Sequence, residues 1–561
     1  MKRYRKIIIG FLCAAAVVLI FLAYSLLSFA SIDGGTVRLN SPDETANYFF
    51  VRSIAQTGQI GYDEPLLAIS KGVVHPRSMT TAGDKVVPVG FLGLAVVYGF
   101  LAKIFGTWAI LFFTPLLAVC SAFAFYALLR RIFPRSVAAL SAVLMLVHPA
   151  YWYYAARGML PNILFVDLLI IGALCVACAF EKKRWWLSLL GGLLIGSALT
   201  VRFSEILWVS AAAIVFIIAG LRRRTVAGIL LGILGCAIPL GIFFSLNKAV
   251  YGHPLLFGYQ MTATYESVSA LDRTLDILRH FSMSALPALK ESVVETLEKA
   301  RSYAFPFGFD PPTFSVHFYQ YGIGMFWWFS LLTVFGFFIV LRKALYDCFR
   351  RHRYRPMGYI ALALFVGSWL TAFYGSWIFF DNIAEEVTIG NSYVRYWLPM
   401  YLLSLPFAAS TLVFFLRGAA GRVPRTLIVI AIVAVLMFFS GKAVLYEYRD
   451  SVFPVAENIT RYHKNAEWIS TMTPSDAVIF SERSDKNFFP QRRVAQSFPN
   501  LAERDLVPPL VARVPVYYYS LWTVADADYV STRYFAEYGL RLSLVASFGE
   551  GERLYKVIAT E

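Results

Sequence analysis

Apolar runs of about 18 residues or more recur along the first 446 positions of the chain. Each run is long enough to cross the hydrocarbon core of a bilayer, about 30 Å thick, as an α-helix. The sequence is 58% hydrophobic and 15% charged, whereas a soluble domain is about 25% charged. We therefore predict an all-α polytopic membrane protein. The eleven predicted spans are 7–30, 108–129, 137–155, 162–180, 185–201, 205–221, 225–247, 321–341, 357–379, 393–416 and 424–446.

One further apolar stretch, 86–105, decides the topology of everything after it. If this stretch crossed the membrane, five basic clusters would lie outside, against the positive-inside rule. We therefore predict that it forms an interfacial or re-entrant helix, as the interruptions at Pro88 and Lys103 also indicate. The first span is too long for a signal h-region and is predicted to be a retained anchor. The clusters are Arg130/Arg131/Arg135, Lys182/Lys183/Arg184, Arg222 to Arg224, Arg342 to Arg355 and Arg417/Arg422/Arg425.

We predict that the protein lies in the plasma membrane. This topology places the N-terminus in the cytoplasm and the C-terminus outside the cell. It predicts a membrane domain, 1–446, with long exterior loops at 31–108 and 248–320. A small exterior α/β domain, 447–561, follows. Its predicted elements are a helix Asn458–Met472, a strand Ala477–Phe480, a helix Pro499–Ala512, a strand Val514–Tyr519 and a hairpin of Leu542–Phe548 and Arg553–Ile558 with a turn at Gly549-Glu550-Gly551.

The second long loop carries two amphipathic pieces, near 269–280 and 286–302, and then an aromatic segment with Pro and Gly, 303–312. Aromatic residues of this kind suit an interfacial lid over a sugar or prenyl chain, and they suit an ordinary aromatic belt equally well.

Charge and cysteine content exclude two classes of protein. The net charge of +16 comes from short clusters between apolar runs rather than from a basic face, so we predict no nucleic-acid partner. The segments placed outside contain no cysteine, which excludes an exterior disulfide framework. Cys175 and Cys178 form a CxxC in mid-span without further ligands, which favours a core role over a redox or metal role.

Two adjacent carboxylates, Asp43 and Glu44, begin a polar stretch just after the first span. The run Asp43–Gln56 predicts a helix with Pro42 at its first position, Ser41 and Glu44 as a capping box, and Gly58 beyond its end. Acidic groups stabilise a helix N-terminus without any catalytic role. A carboxylate held in a capped turn at a membrane surface is also well placed to act as a general base.

Several short motifs occur in a characteristic order along most of the chain. They are Pro42-Asp43-Glu44, Gly83-Asp84-Lys85 with Pro88, Lys103-Ile104-Phe105-Gly106, Arg130-Arg131-Ile132-Phe133, Arg157 to Pro161, Asn247 with Tyr251-Gly252-His253-Pro254, and Arg395-Tyr396 with Pro399.

In this order and spacing the chain resembles the GT-C glycosyltransferases, specifically the family 39-like group that includes protein O-mannosyltransferases and lipid A aminoarabinose transferases. The resemblance implies a polyprenyl-phosphate-linked sugar donor, Asp43 as the base and Glu44 as its neighbour and helix cap. One departure concerns the acidic residue that many members carry after the proline here numbered 161. This chain has Asn162, and Asp167 lies five residues deeper in the span.

The predicted activity is that of an inverting glycosyltransferase on the outer membrane face, with an acceptor hydroxyl on a lipid, glycan or protein. Positive charge is needed for the departing phosphate, and Arg is suited to hold it. Each candidate cation could instead contact lipid headgroups. The candidates are Arg157, Lys85, Arg77 and Arg395, with His75 as a hydrogen-bond donor or metal ligand.

No metal site is predicted, because the spacing of His75 and His317 shows none, although a divalent metal remains an open alternative. Arg202 and Glu205, three residues apart at a membrane turn, are interpreted as a structural ion pair, and His253 as loop structure.

Three other functions are compatible with the pattern. A transporter or lipid-linked glycan flippase would place ionisable groups along a path near the midplane, where the predicted spans have only Asp167 and Lys442. An oligosaccharyltransferase or O-antigen-ligase-like enzyme shares the membrane-plus-exterior design, and a scaffold with a degenerate site would share the fold.

Overall fold

The computed structural model describes residues 14–182, 184–222, 225–262, 308, 310–379, 386–418, 425–498 and 501–560. The two amphipathic pieces of the second long loop, and 303–307 and 309 of its aromatic segment, lie outside the described residues.

Helices dominate the first four-fifths of the described chain. They are α1 (Ala14–Tyr24), α2 (Leu26–Ala30), α3 (Pro42–Thr57), α4 (Gly93–Phe105), α5 (Phe113–Leu129), α6 (Arg135–Val147), α7 (Pro149–Ala156), α8 (Pro161–Lys182), α9 (Trp185–Val201), α10 (Ile206–Arg222), α11 (Val226–Tyr251), α12 (Gly258–Thr262), α13 (Pro311–His317), α14 (Trp327–Arg351), α15 (Arg355–Gly375), α16 (Ser392–Tyr396), α17 (Leu398–Gly418), α18 (Arg425–Lys442) and α19 (Val452–Met472). Shorter turns of 3-10 helix at Thr107–Phe112 and Phe203–Glu205 precede α5 and α10, and π-helical turns at Phe318–Gly324 and Ala443–Glu447 precede α14 and α19.

Each of the eleven predicted spans corresponds to helical structure. Among the described residues, eight helices are long and apolar enough to cross a membrane, and α6 with α7 makes a ninth if the pair counts as one span bent by 51°. The bend falls at His148, whose backbone is extended before Pro149, because a residue before proline avoids the helical region. The other two predicted spans correspond to α1 and α9, which are shorter apolar helices.

The stretch 86–105 is not one helix. Its first residues belong to β5 (Lys85–Pro88), the centre of a three-stranded antiparallel sheet with β3 (Tyr62–Asp63) and β4 (Met79–Ala82). The 13 residues of α4 follow, and at 1.5 Å per residue they extend about 20 Å, which is too short to cross a bilayer. The sequence prediction overlooked this sheet, and also the small hairpin of β1 (Ile32–Asp33) and β2 (Thr36–Val37).

A five-stranded mixed sheet forms the core of the C-terminal region, in the spatial order β7-β6-β8-β10-β9. Strand β6 pairs in parallel with β7 and β8, and β10 pairs antiparallel with β8 and β9. The strands are β6 (Val478–Ser481), β7 (Arg493–Gln496), β8 (Val516–Ser520), β9 (Leu540–Ser547) and β10 (Arg553–Ala559), with short helices α20 (Asp485–Phe488), α21 (Val507–Val511) and α22 (Val524–Val530).

The predicted helix Pro499–Ala512 is wrong over most of its length. Residues 499–500 are not described, and the rest contains only a 3-10 turn, Arg504–Leu506, and the five-residue α21. Two prolines, Pro508 and Pro509, begin α21, and proline is tolerated only in the first turn of a helix. Strand β7 and helix α22 were missed, whereas the hairpin of β9 and β10 was predicted to within two residues at each end.

The C-terminal sheet packs on the first polar loop. Leu66 and Val74 of that loop belong to the same apolar core as Val478 and Phe480. Polar contacts join the same two parts: Arg77 pairs with Asp485, Arg493 with Glu64, Lys486 donates to the carbonyl of Asn40, and Arg38 donates to that of Asn487. The start of α3 is therefore enclosed between the membrane helices and the C-terminal sheet.

Candidate active site

The N-terminus of α3 carries the capping box that the sequence predicts. The Ser41 hydroxyl accepts a hydrogen bond from the Glu44 backbone N–H (3.2 Å), and the Glu44 carboxylate accepts one from the Ser41 N–H (3.1 Å). Gly58 ends the helix in the left-handed region, at φ 76°, where glycine meets no Cβ penalty. These local contacts fix the direction of Asp43 and Glu44 relative to each other.

Glu44 is buried against Arg157. Arg157 donates from Nε to Oε1 (2.7 Å) and from Nη2 to Oε2 (2.5 Å), and its Nη1 donates to the Tyr153 hydroxyl (2.9 Å). Tyr153 in turn donates to the carbonyl of Asp450 (2.8 Å). The space around the pair is only about 10 Å³, so no substrate group fits between the two side chains.

Arg157 is therefore not open to the aqueous space that the half-exposed Asp43 faces. Its side chain is 7% exposed and that of Glu44 is 3% exposed. Two charges taken out of water in this way must neutralise each other. The pair ties the start of α3 to the end of α7, and the geometry gives no support to Arg157 as a phosphate ligand.

Asp43 has the opposite environment. Its side chain is 44% exposed. Oδ1 accepts a hydrogen bond from the Ser78 hydroxyl (2.6 Å), and Oδ2 lies 3.3 Å from Nη1 of Arg395. Of the two adjacent carboxylates, Asp43 is the one that a substrate can reach.

A cluster of cationic and aromatic side chains lies next to Asp43. Two guanidinium groups contact the Tyr396 ring, with Arg395 5.2 Å and Arg202 4.5 Å from its centroid. Tyr374 stacks on the same ring at 4.5 Å. Tyr259 of α12 interacts electrostatically with Asp43, Arg395 and Arg202.

Arg202 is held by a buried network at the end of α9. Its Nη2 donates to Glu205 Oε1 (2.7 Å) and to the Tyr374 hydroxyl (2.8 Å), and Trp208 donates to Glu205 Oε2 (2.6 Å). The ion pair expected from the sequence is present, at 2.7 Å. Arg202 also lies beside Tyr396 and therefore at the candidate site. The spacing of Arg202 and Glu205 in the sequence did not predict this position.

An apolar cavity of about 290 Å³ lies between three apolar helices near this cluster. Helices α4, α9 and α11 line it, and Thr200, two residues before Arg202, forms part of its wall. Gly93 allows the close contact of α4 with α9, because a Cβ there would lie 2.2 Å from the Thr200 carbonyl carbon.

The remaining predicted cations do not contact Asp43. Arg77 pairs with the buried carboxylate of Asp485 at 2.7 Å, and Lys85 lies 3.7 Å from the exposed carboxylate of Asp63. His75 bonds the carbonyl of Pro76 through Nδ1 (2.9 Å), and burial lowers its pKa. Arg77 therefore contributes to the contact between the first loop and the C-terminal region, and His75 lies two residues before it.

No group of three or more His, Cys, Asp or Glu side chains within the described residues could hold a metal ion. His317 bonds the carbonyl of Gly375 (2.7 Å). Asn162 donates to the carbonyl of Arg395 (3.1 Å). Asp167 is buried elsewhere, accepting hydrogen bonds from Ser121 and Tyr151.

Three side chains of the site were not identified from the sequence. Ser78 carries no local signal, because it reaches Asp43 only through a tertiary contact, and Tyr259 comes near the cluster only in the folded chain. Tyr396 entered the sequence analysis only as the neighbour of Arg395, and its contact with Arg202 joins residues 194 positions apart.

Comparison with known proteins agrees with this architecture. Residues 91–246, less than a third of the chain, match the family model described as dolichyl-phosphate-mannose-protein mannosyltransferase. The structure of ArnT from Cupriavidus metallidurans bound to undecaprenyl phosphate aligns with 98% of this chain and 97% of its own, at 11% identity and a TM-score of 0.54. The chain has the GT-C fold of ArnT. The resemblance to the family 39-like group inferred from the motifs is confirmed by this fold and by the matched segment.

Two further structures were compared. ArnT in the apo state gives a TM-score of 0.52 at 13% identity, over 99% of this chain and 98% of ArnT. The oligosaccharyltransferase AglB from Archaeoglobus fulgidus, in complex with an inhibitory peptide and a dolichol-phosphate, gives 0.47 at 11% identity, over 90% of this chain and 69% of AglB. A search of curated proteins finds no match.

Proposed function

We propose that this protein is an inverting glycosyltransferase that moves a sugar from a polyprenyl-phosphate donor to an acceptor hydroxyl. The observation that carries the proposal is the half-exposed carboxylate of Asp43 beside Arg395, with the buried Arg202 against the same Tyr396 ring. A base and a guanidinium group at one opening are what such a displacement needs.

In the proposed reaction Asp43 takes the proton of the acceptor hydroxyl, and the acceptor oxygen attacks the anomeric carbon of the donor. The bond between that carbon and the phosphate oxygen breaks, and polyprenyl phosphate leaves with the electron pair. Arg395 offsets the negative charge that develops on the phosphate, and Arg202 adds to the positive field. One base is enough for a single displacement with inversion.

The apolar cavity between α4, α9 and α11 supports a lipid-linked donor. Its wall includes Thr200, two residues before Arg202, so a prenyl chain in it would present its phosphate near the cationic cluster. The family model names dolichyl-phosphate-mannose, and ArnT was solved with undecaprenyl phosphate. Both are phosphates of long prenyl chains.

The packing of the C-terminal sheet on the first loop supports a site on the outer face. These two parts lie on one side of the membrane, so the chain between them must cross an even number of times. With α6 and α7 as one span, the described residues form ten apolar helical segments between α4 and α19. A crossing by α4 would make the number odd. With the N-terminus in the cytoplasm, this side is the exterior of a plasma membrane.

A flippase receives less support from the described spans. Asp167 is bonded to Ser121 and Tyr151, and Lys442 pairs with Glu447 at 3.1 Å. Neither residue faces a polar path through the membrane helices.

Replacement of Asp43 by Asn tests the proposal. A strain lacking the protein should accumulate a polyprenyl-phosphate sugar, measured by mass spectrometry of envelope lipids. Wild type should clear it, and D43N should lower the transfer rate by at least about a hundredfold, the usual contribution of a general base. Asp63→Asn, another exposed carboxylate of the same loop, should restore normal levels. Full activity of D43N, at normal membrane expression, would contradict the assignment.

A further inference from the structure

A large cavity lies at the other end of the membrane helices. Its volume is about 910 Å³, and residues from the loop between α5 and α6, from the ends of α10 and α14, and from α17 line it. Helix α15 runs from this cavity to the candidate active site. Arg355 at its start lines the cavity, and Tyr374 near its end contacts Arg202. Nineteen residues of helix separate these two positions, about 28 Å along the axis. The cavity and the active site therefore lie on opposite faces of the membrane.

The rim of this cavity is strongly basic. Five of its side chains are Lys or Arg, and one, Asp347, is a carboxylate. Glu181 pairs with Arg131 at 3.0 Å, and Asp347 lies 3.7 Å from Arg351. The other basic side chains of the rim are Arg222, Lys343, Arg353 and Arg355.

Three of these cations are exposed and have no carboxylate partner. Within the described part of the chain, Arg222, Lys343 and Arg353 form no ion pair. The positive-inside rule accounts for the number of basic residues on this face. It does not account for their convergence, unpaired, on one concave space.

The walls of the cavity below the rim are apolar. Val215 and Ile218 of α10, Ile339 and Val340 of α14, and Phe414 of α17 form them. A basic rim above apolar walls matches the two parts of an anionic lipid, a phosphate headgroup and acyl chains. A soluble phosphate would satisfy the rim and leave the walls in contact with water.

We propose that this cavity binds the phosphate headgroup of an anionic phospholipid of the cytoplasmic leaflet, with an acyl chain against α10 and α17. Lys343 and Arg353 bind the phosphate oxygens, and Arg222 adds to the positive potential. Basic pockets between transmembrane helices on the cytoplasmic side have the chemistry that such headgroups need. This site is separate from the proposed transferase reaction and does not depend on it.

The test compares two double variants of the full-length protein by native mass spectrometry. Lys343→Gln with Arg353→Gln removes two cations of the rim. Arg342→Gln with Arg350→Gln removes two cations of α14 that do not line the cavity. The change in net charge is the same in both double variants. Each protein, shown to be monodisperse, is titrated with phosphatidylglycerol, phosphatidylethanolamine, undecaprenyl phosphate and inorganic phosphate.

We expect phosphatidylglycerol to bind the wild type in preference to phosphatidylethanolamine. The rim variant should bind it at least about tenfold more weakly, and the control variant should bind it within about twofold of the wild type. On the wild type alone, retention of phosphatidylglycerol should fall as salt is raised. Equal loss in both variants, or no loss in either, would overturn the site. Preference for undecaprenyl phosphate would overturn the phospholipid assignment, and competition by inorganic phosphate at equal concentration would overturn the need for a lipid.

Discussion

At the scale of single residues, Asp43 and Glu44 show how position within one helical turn separates two carboxylates. Glu44 accepts hydrogen bonds from Arg157 and from the Ser41 backbone, and it is buried. Asp43 is half-exposed, accepts a hydrogen bond from Ser78 and contacts Arg395. Substitutions at the two positions should therefore have different effects on the protein.

Glu44→Gln should lower the free energy of unfolding by about 3–5 kcal/mol, because it leaves the buried guanidinium of Arg157 without a counter-charge. Thermal unfolding in detergent measures the loss. Replacing both partners, Glu44→Met with Arg157→Met, should recover most of it apart from the helix cap. Asp43→Asn, at a half-exposed position, should unfold at nearly the wild-type temperature. An E44Q protein as stable as the wild type would contradict the structural role of the pair.

The sequence predicted the local half of this arrangement. The capping box depends on residues three apart, and Pro42 and Gly58 mark the ends of the helix. The partner of Glu44 is 113 positions away. Arg157 was therefore assigned to the phosphate, because nothing local distinguishes a cation that pairs with protein from one that binds substrate.

At the scale of elements, α4 shows why the apolar stretch 86–105 was only partly predictable. Charge placement and the interruptions at Pro88 and Lys103 predicted an interfacial or re-entrant helix, and the helix that forms, α4, has only 13 residues. The strand β5 at its start was missed, because its partners β3 and β4 are too short to produce a strand pattern of their own. The close approach of α4 to α9 at Gly93 is equally invisible in the sequence.

Gly93→Ala should move α4 away from α9 and disturb the apolar cavity. The added Cβ would lie 2.2–2.4 Å from backbone atoms of Thr200 and Val201, which cannot give way as a flexible side chain could. We expect a loss of about 1–3 kcal/mol in stability, seen as a lower melting temperature, together with slower sugar transfer. Gly241→Ala in α11 is the matched control, since nothing lies within 4 Å of its added Cβ. Equal melting temperatures for the two variants would argue against tight packing at Gly93.

At the scale of the whole molecule, the C-terminal sheet holds the segment that contacts the proposed base. Asp485 accepts hydrogen bonds from the backbone N–H (2.7 Å) and Nε (2.8 Å) of Arg77, and the next residue, Ser78, donates to Asp43. Asp485→Asn should therefore loosen the docking and slow sugar transfer, with faster proteolysis between α18 and α19. Asp476→Asn, at an exposed position in the same region, should change neither. A D485N protein with wild-type activity and protease resistance would show that this contact with the C-terminal sheet does not support the site.

The same contact should make the folded protein sensitive to acid through His75. Burial lowers the pKa of His75, while the Pro76 carbonyl and the Asp485 carboxylate oppose that shift. Below the ordinary histidine pKa of about 6.5 the unfolded chain takes up a proton that the folded chain does not, so stability falls as the pH drops from 6.5 toward the folded pKa. Each pKa unit of separation is worth about 1.4 kcal/mol. His75→Gln should therefore lose less melting temperature than the wild type between pH 7.5 and 5.5. His253→Gln, at an exposed loop position, should show the same dependence of melting temperature on pH as the wild type. If His75→Gln also shows that dependence, the His75 imidazole is not the source of the acid sensitivity.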